Sequence, residues 1–321
     1  MAGVFTISLD YELHWGVFDK RPRAARLPVY QNTVALVPTL LQQFEKYGVH
    51  VTWATVGALM ADNLAEWQAY KPKQLPTYSQ TKYSAYEFIE QNGISAAEEV
   101  AHFSWQTVAQ IEKYQGQELG THSFAHFYCC EEGQTPGQFE ADLESVQAIA
   151  QAKLGKPLKS LVFPRNQFNR LYLQACSKHG IEIIRSNPAV WYWSGVANDD
   201  TSLLRKIART GDVFLPLGSK AFTEDKIVTE PGLPIQLPAS RLLREISPTQ
   251  QILNKLRLRR IIGEMTQAAK NHEIYHLWWH PENFGTLPQQ SMADLTILLQ
   301  HFQRLQQRYG FTSKNMGEFV Q

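Results

Sequence analysis

Two histidines four residues apart, His122 and His126 in Gly120-Thr121-His122-Ser123-Phe124-Ala125-His126, could hold one metal ion. On a helical turn, side chains at i and i+4 share a face, so both imidazoles can reach the same cation. Ser123 stands where a zinc protease of the His-Glu-x-x-His kind needs glutamate, which argues against that chemistry. The alternative is structural: one histidine caps a helix and the other packs among Phe124, Phe127 and Tyr128. A second pair of polar groups, Asp10 and Glu12, interrupts an apolar run. In extended chain, residues i and i+2 project the same way, roughly 6.5–7 Å apart. One carboxylate can then bind a metal while the other takes a proton from an activated water. Carboxylates among Leu9, Tyr11, Leu13 and Trp15 need partners, which weakens the reading of Asp10 as a cap and Glu12 as a surface group.

Arg165, in Phe163-Pro164-Arg165-Asn166-Gln167, can form a fork-like pair that keeps a carboxylate ionised; on spacing alone an ordinary loop salt bridge explains it equally well. His280 follows Trp278-Trp279 and precedes Pro281. A lone histidine is more often structural, but an imidazole suits the protonation of a leaving amine at neutral pH. Aromatic faces pack on sugar C–H surfaces, so Tyr11, Trp15 and Trp279 are expected substrate contacts. His276, two residues before Trp278, is expected on the same side as His280 but deeper. Lys255, Arg257, Arg259 and Arg260 read as a solvated helix face or a phosphate contact, Trp191-Tyr192-Trp193 as groove lining or core, and Cys129-Cys130 as two buried thiols.

The elements that must position these groups alternate. Strands are expected at residues 4–9, 49–56, 118–121, 161–163, 181–184 and 273–278. Helices are expected at 37–47, from Pro136 to about 154, up to 178, at 249–271 and at 291–309. Residues 61–116 read as an insertion with helical pieces and 186–247 as an irregular insertion, both within a single domain spanning 1–321. Strand–helix alternation implies parallel strands in a barrel or doubly wound sheet. The polar groups fall at strand carboxyl ends, where such folds keep their sites.

Composition agrees. The chain has 321 residues, 44% of them hydrophobic, and its 31 Lys+Arg nearly balance 30 Asp+Glu, so nothing marks it for nucleic acid. No apolar run approaches a membrane span or signal-peptide core, and three cysteines form no disulfide framework. A cytoplasmic protein beginning at Met1 is expected.

These residues resemble the polysaccharide deacetylases with a NodB-homology domain, carbohydrate esterase family four. Ser8-Leu9-Asp10-Tyr11-Glu12 is similar to the first motif, His50-Val51-Thr52-Trp53 to the following strand, and Thr121-His122-Ser123 through His126 to the metal-histidine motif. Phe163-Pro164-Arg165 is similar to the arginine motif and Leu277 through Pro281 to the last one. The phrasing Asp-Tyr-Glu-Leu-His-Trp-Gly and Trp-Trp-His-Pro-Glu-Asn-Phe-Gly resembles an intracellular branch associated with surface-polysaccharide synthesis. The resemblance implies a distorted parallel β/α barrel, a divalent metal, usually zinc, and hydrolysis of N-acetyl or other N-acyl groups on amino sugars, nucleotide- and lipid-linked forms both staying open. Carried over, Asp10 is the base, Glu12, His122 and His126 the ligands, Arg165 the partner of Asp10 and His280 the acid. A backbone N–H near Asn166 or Gln167 would face the oxyanion. The family's adjacent Asp-Asp is Asp-x-Glu here, so Asp10 as ligand stays open. Asp199, Asp200 and Glu282 are candidates to orient His280. Two competing readings are a glycosidase pairing Asp10 or Glu12 with Glu282 and a non-catalytic carbohydrate-binding barrel.

Overall fold

The computed structural model describes residues 2–188 and 220–320. Trp191, Tyr192, Trp193, Asp199 and Asp200 lie outside the described residues. In chain order the elements are β1 (Val4–Tyr11), α1 (Arg23–Tyr47), β2 (Val51–Thr55), α2 (Leu64–Ala69), α3 (Ala85–Asn92), α4 (Trp105–Ile111), β3 (Gln117–Thr121), α5 (Pro136–Leu154), β4 (Ser160–Val162), α6 (Arg170–Lys178) and β5 (Ile183–Ser186). There follow β6 (Ile235–Pro238), β7 (Arg241–Leu242), α7 (Gln251–Asn271), β8 (Ile274–Trp279), α8 (Glu282–Gly285), α9 (Pro288–Tyr309) and β9 (Thr312–Ser313).

All strand pairs named here are parallel, in the order β6-β5-β4-β3-β2-β1-β8-β7, with β9 beside β1. The two ends of that list are consecutive pieces of one segment. Between β6 and β7 the N–H of Ala239 still donates to Ser186 on β5, whereas the N–H of Ser240 donates to His276 on β8. One short stretch therefore changes partner and draws the sheet's edges together into a distorted parallel β/α barrel. Burial on both faces explains near-continuous apolar strands such as β1 and β8, every residue of which is buried.

Local chemistry sets the ends. Thr135 caps α5 in a reciprocal capping box with Gln138, and Pro136 occupies the first turn. Gly48 ends α1 at φ 62°. That helix begins at Arg23, well before the expected residue 37, and contains Pro28 and Pro38. Prolines are costly inside helices, which is why its first half was illegible. Residues 61–116 hold α2–α4, helical pieces as expected, and hydrogen bond the start of the site: Ser104 to the Tyr11 hydroxyl, the His102 carbonyl to Trp15 Nε1. Among the described residues, no helix is long and apolar enough to cross a membrane.

Candidate active site

Period-two geometry on β1 turns Ser8, Asp10 and Glu12 toward the barrel axis and Leu9 and Tyr11 toward the helices. Glu12 Oε2 lies 3.2 Å from His122 Nε2 and 3.1 Å from His126 Nε2. The three residues are buried, and one potential ligand atom from each lies within 4.8 Å of the others. Asp10 sits beside them, gripped by Arg185: Nη1 reaches Oδ1 at 2.6 Å and Nη2 reaches Oδ2 at 2.7 Å. His280, 30% exposed, places Nε2 3.8 Å from Asp10 Oδ2 and 3.6 Å from Glu12 Oε1. These groups share a cavity of roughly 360 Å³, within the size range of small-molecule sites.

The histidines stand on a loop rather than the helical turn expected from their spacing. Ser123 and His126 adopt φ values of 63° and 59°, left-handed conformations that cost non-glycine residues energy and cluster at functional sites. Buried Asp142 holds the loop by accepting from the N–H groups of Phe124 at 2.6 Å and Ala125 at 3.3 Å. Burial pushes the Asp142 carboxyl up to about 7. The carbonyls of Ser123 and Phe124 accept from Gly57 and Ala58 after β2.

Would this site suit a divalent metal? His122 Nδ1 lies 2.8 Å from the Val162 carbonyl, so it carries the proton and donates. Nε2 is then the ring nitrogen that faces the Glu12 carboxylate. That nitrogen and the carboxylate oxygen, 3.2 Å apart, are both atoms that a cation between them would engage. Burial pushes His126 down to about 4 against the pull of Glu12, leaving the neutral imidazole a metal requires. Although burial opposes it, His280 and the two ligand imidazoles hold Glu12 well below the usual carboxylate range. The donor set is chemically that of a borderline metal such as zinc, and the residues fit.

Around the cluster, Arg185 is fixed by a chain of bonds. Its Nη1 donates to Ser8 Oγ at 3.0 Å. The Ser8 hydroxyl donates to His276 Nε2 at 2.8 Å, and His276 Nδ1 donates to the Pro238 carbonyl at 3.0 Å. Burial, then Arg185, holds His276 at about 3, so its neutral tautomer suits this chain. His276 is thus deeper on the same side as His280. Although burial opposes ionisation, Arg185 keeps Asp10 below its ordinary value. Glu282 accepts from the backbone N–H groups of Leu13 and Glu12, and burial followed by the Glu12 charge raises it to about 8.

Several expectations are corrected. Arg165 does not meet Asp10; it bridges Asp19 and Glu131, and the Asp10 partner is Arg185 on β5. Trp279 is fully buried on the outer side of β8 against Phe44 and Phe284. Trp278, on the same side as His280, lines the cavity, its ring 4.2 Å from the Arg185 guanidinium carbon. Tyr11 and Trp15 are buried away from the cavity, Trp15 against Trp67 and His102. Gln167 is buried on Glu131 and Cys130. The N–H groups of Asn166 and Gln167 already donate to Phe163 and Pro164, so neither faces an oxyanion. Asn166 does line the cavity, its Oδ1 accepting from Arg185 at 3.1 Å. Arg257, expected in solvent, is buried and donates to the carbonyls of Arg244 and Glu245. Cys129 is buried, Cys130 only half-buried.

Gly16 shows how tightly Glu12 is framed. A Cβ there would fall inside the van der Waals envelope of the Glu12 carboxylate. Gly16→Ala is therefore expected to turn the flexible end of Glu12 aside, at little cost to the fold, and to weaken metal binding about 10–100-fold, the scale of lost ligand support. A competition titration with a chromophoric chelator checks this; wild-type affinity in the variant would show that Glu12 is not a ligand.

The buried imidazoles also set a pH dependence. Burial pushes His14 to about 4 and His102 to about 2, beside His126 at about 4 and His276 at about 3. Unfolded histidines titrate near 6.5, so below that pH the unfolded chain binds protons the native one refuses, and stability falls with pH. Glu282 and Asp142, raised to about 8 and 7, act oppositely, the native state holding their protons. Four imidazoles outweigh two carboxyls, so metal-free protein is expected to lose stability from pH 6.5 to 5, by at most about 3 kcal/mol per pH unit. Urea midpoints across that range test it; constant or rising stability toward acid would contradict it.

Comparison with known proteins bears on the family and the fold. The polysaccharide deacetylase family matches residues 16–184, slightly over half of the chain; the span contains His122 and His126 but not Asp10, Glu12, Arg185 or His280. A protein assigned as a polysaccharide deacetylase from Mycobacterium smegmatis is similar in structure, with TM-score 0.56 at 11% identity, covering 100% of this chain and 90% of that one. A 4-α-glucanotransferase from Thermococcus litoralis has TM-score 0.57 at 11% identity, covering 100% and 40%. An α-amylase from Thermotoga maritima has TM-score 0.55 at 10% identity, covering 100% and 74%. At such identities these likenesses concern the fold alone. No curated protein matches the chain. On the family match, the chain belongs to the polysaccharide deacetylase family.

Proposed function

We propose that this chain is a metal-dependent N-deacetylase of amino sugars in surface-polysaccharide precursors, with zinc as the metal held by Glu12, His122 and His126. The observation that carries the reading is the meeting, in one cavity, of that ligand cluster with an Arg-held carboxylate and a partly exposed imidazole. When bound, the ion acts as a Lewis acid on water and on the acyl oxygen. Asp10, kept ionised by Arg185, accepts the proton of the attacking water. His280, within 4 Å of both carboxylates, gives a proton to the departing amine. Trp278 presents a cavity wall to the sugar, and Asn166 polar atoms beside Arg185. Glu282 spends its carboxyl on the backbone at Leu13 and Glu12, which leaves the glycosidase reading without its second carboxylate. Three free cysteines suit a reducing cytoplasm.

Acetate release from an N-acetylated amino sugar tests the proposal. Chelated protein should be inactive and regain activity with one equivalent of zinc. Zinc-loaded protein that releases acetate from no amino sugar would contradict it and favour a carbohydrate-binding barrel.

A further inference from the structure

The cavity carries charge that acyl hydrolysis does not require. Lys20, Arg21 and Arg26 all line it. Among the described residues, Arg21 and Arg26 have no ion-pair partner; the Arg26 guanidinium lies 5.8 Å from the Tyr30 ring, and its Nε is buried without a hydrogen bond. Lys20 is partly balanced by Asp19 and Glu131, which it shares with Arg165, and by Glu12. Among the described residues, no carboxylate of the wall forms an ion pair with these cations. Asp10 is matched by Arg185, Glu12 lies between imidazoles, and Glu282 faces backbone N–H groups. Glu245, the remaining acid, lines the cavity from the segment before α7.

A second cavity, of roughly 470 Å³, shares Lys20 and Arg21 as its dividing wall and runs past Phe18 and Phe88 to the start of α1. The helix is 25 residues long, and Pro22 before it supplies no side-chain cap. Its positive end and uncapped N–H groups thus stand beside the same arginine. Unpaired cations crowded in a cleft repel one another until an anion arrives, and arginine forks match phosphate oxygens.

Resting on the deacetylase reading, we infer that the substrate is an amino sugar bearing a phosphate or pyrophosphate: the acylated ring sits over Glu12, His122 and His126, Arg21, Arg26 and Lys20 hold the phosphate, and whatever lies beyond it runs into the second cavity.

The zinc-loaded full chain should be assayed for acetate release from N-acetylglucosamine, its 1-phosphate and its uridine diphosphate derivative at several salt concentrations. The phosphorylated sugars should show kcat/KM at least about tenfold above the neutral sugar, through KM, with the advantage shrinking as salt rises. In Arg21→Ala/Arg26→Ala the advantage should collapse toward one. Competition by uridine diphosphate well beyond that of inorganic pyrophosphate points to a nucleotide source; equal competition points to a lipid-linked or simple sugar phosphate, and both support the inference. Equal use of neutral and phosphorylated sugars, or a preference that survives the double substitution, overturns it. If no sugar is deacetylated, the enzymatic reading fails by itself, and calorimetry of chelated protein with N-acetylglucosamine 1-phosphate decides the rest. Binding weakened at least about tenfold in the double variant supports the anion site; no binding to wild type, or equal binding to both, overturns it.

Discussion

Asp10→Asn should retain its metal and lose about 10²–10⁴ in kcat, the usual contribution of a general base, whereas Glu12→Gln should lose the metal itself. The two carboxylates are two residues apart on one strand face yet do different work because their neighbours differ. Asp10 faces a guanidinium that satisfies both of its oxygens. Glu12 faces two imidazole nitrogens at 3.1–3.2 Å. An asparagine at 10 still accepts from Arg185 but takes no proton at neutral pH. A glutamine at 12 keeps one carbonyl oxygen but drops the charge that favours a dication. Metal analysis beside initial rates on both variants checks the division. Metal lost from Asp10→Asn and kept in Glu12→Gln would reverse the roles.

Arg185→Ala should be the most damaging substitution to stability and activity together. The Arg185 side chain is fully buried and pairs with a carboxylate that is nearly so. Removing one partner of such a pair costs about 3–5 kcal/mol, because the other charge stays buried without compensation. The same loss removes what holds Asp10 down, and burial then drives its pKa up. The acid limb of the rate profile should therefore move to higher pH, since Asp10 must be ionised to act. Arg185→Lys keeps the charge without the fork and should fall between. Arg165→Ala should leave that limb in place, because Arg165 serves Asp19 and Glu131. A shifted limb in Arg165→Ala and an unshifted one in Arg185→Ala would overturn the assignment. Denaturant midpoints and pH–rate profiles supply both readouts.

Much of this site was legible from residue spacing. Polar groups interrupting buried strands at 10, 12, 122 and 280 do meet at the carboxyl ends of β1, β3 and β8, because parallel strands leave only that rim for them. The errors have physical causes. Arg165 follows the short apolar strand β4 and Arg185 lies inside the short strand β5, and the pairing with Asp10 depends on which one reaches the barrel axis. Arg185 does so because it sits within β5, between buried Ile184 and the strand's last residue, a position that itself signals an enclosed partner. Two adjacent tryptophans do not by themselves say which one faces the cavity; alternation on β8 puts His276, Trp278 and His280 on one side and Trp279 on the other. The His122–His126 spacing read as a helical turn, whereas left-handed φ at Ser123 and His126 brings the imidazoles together in a loop; residue type alone gives little warning of that. Gly16 and Asp142 act on the ligands from four and sixteen or more positions away, one by leaving space and one through the backbone, and neither effect has a sequence motif.

The most direct test is the metal content of His122→Ala beside wild type after equilibration with zinc and gel filtration. Wild type should carry about one zinc per chain, and the variant, folded by circular dichroism, should carry almost none. A folded variant that still holds one equivalent, or a wild-type protein that holds none, would contradict the Glu12-His122-His126 centre on which the whole account rests.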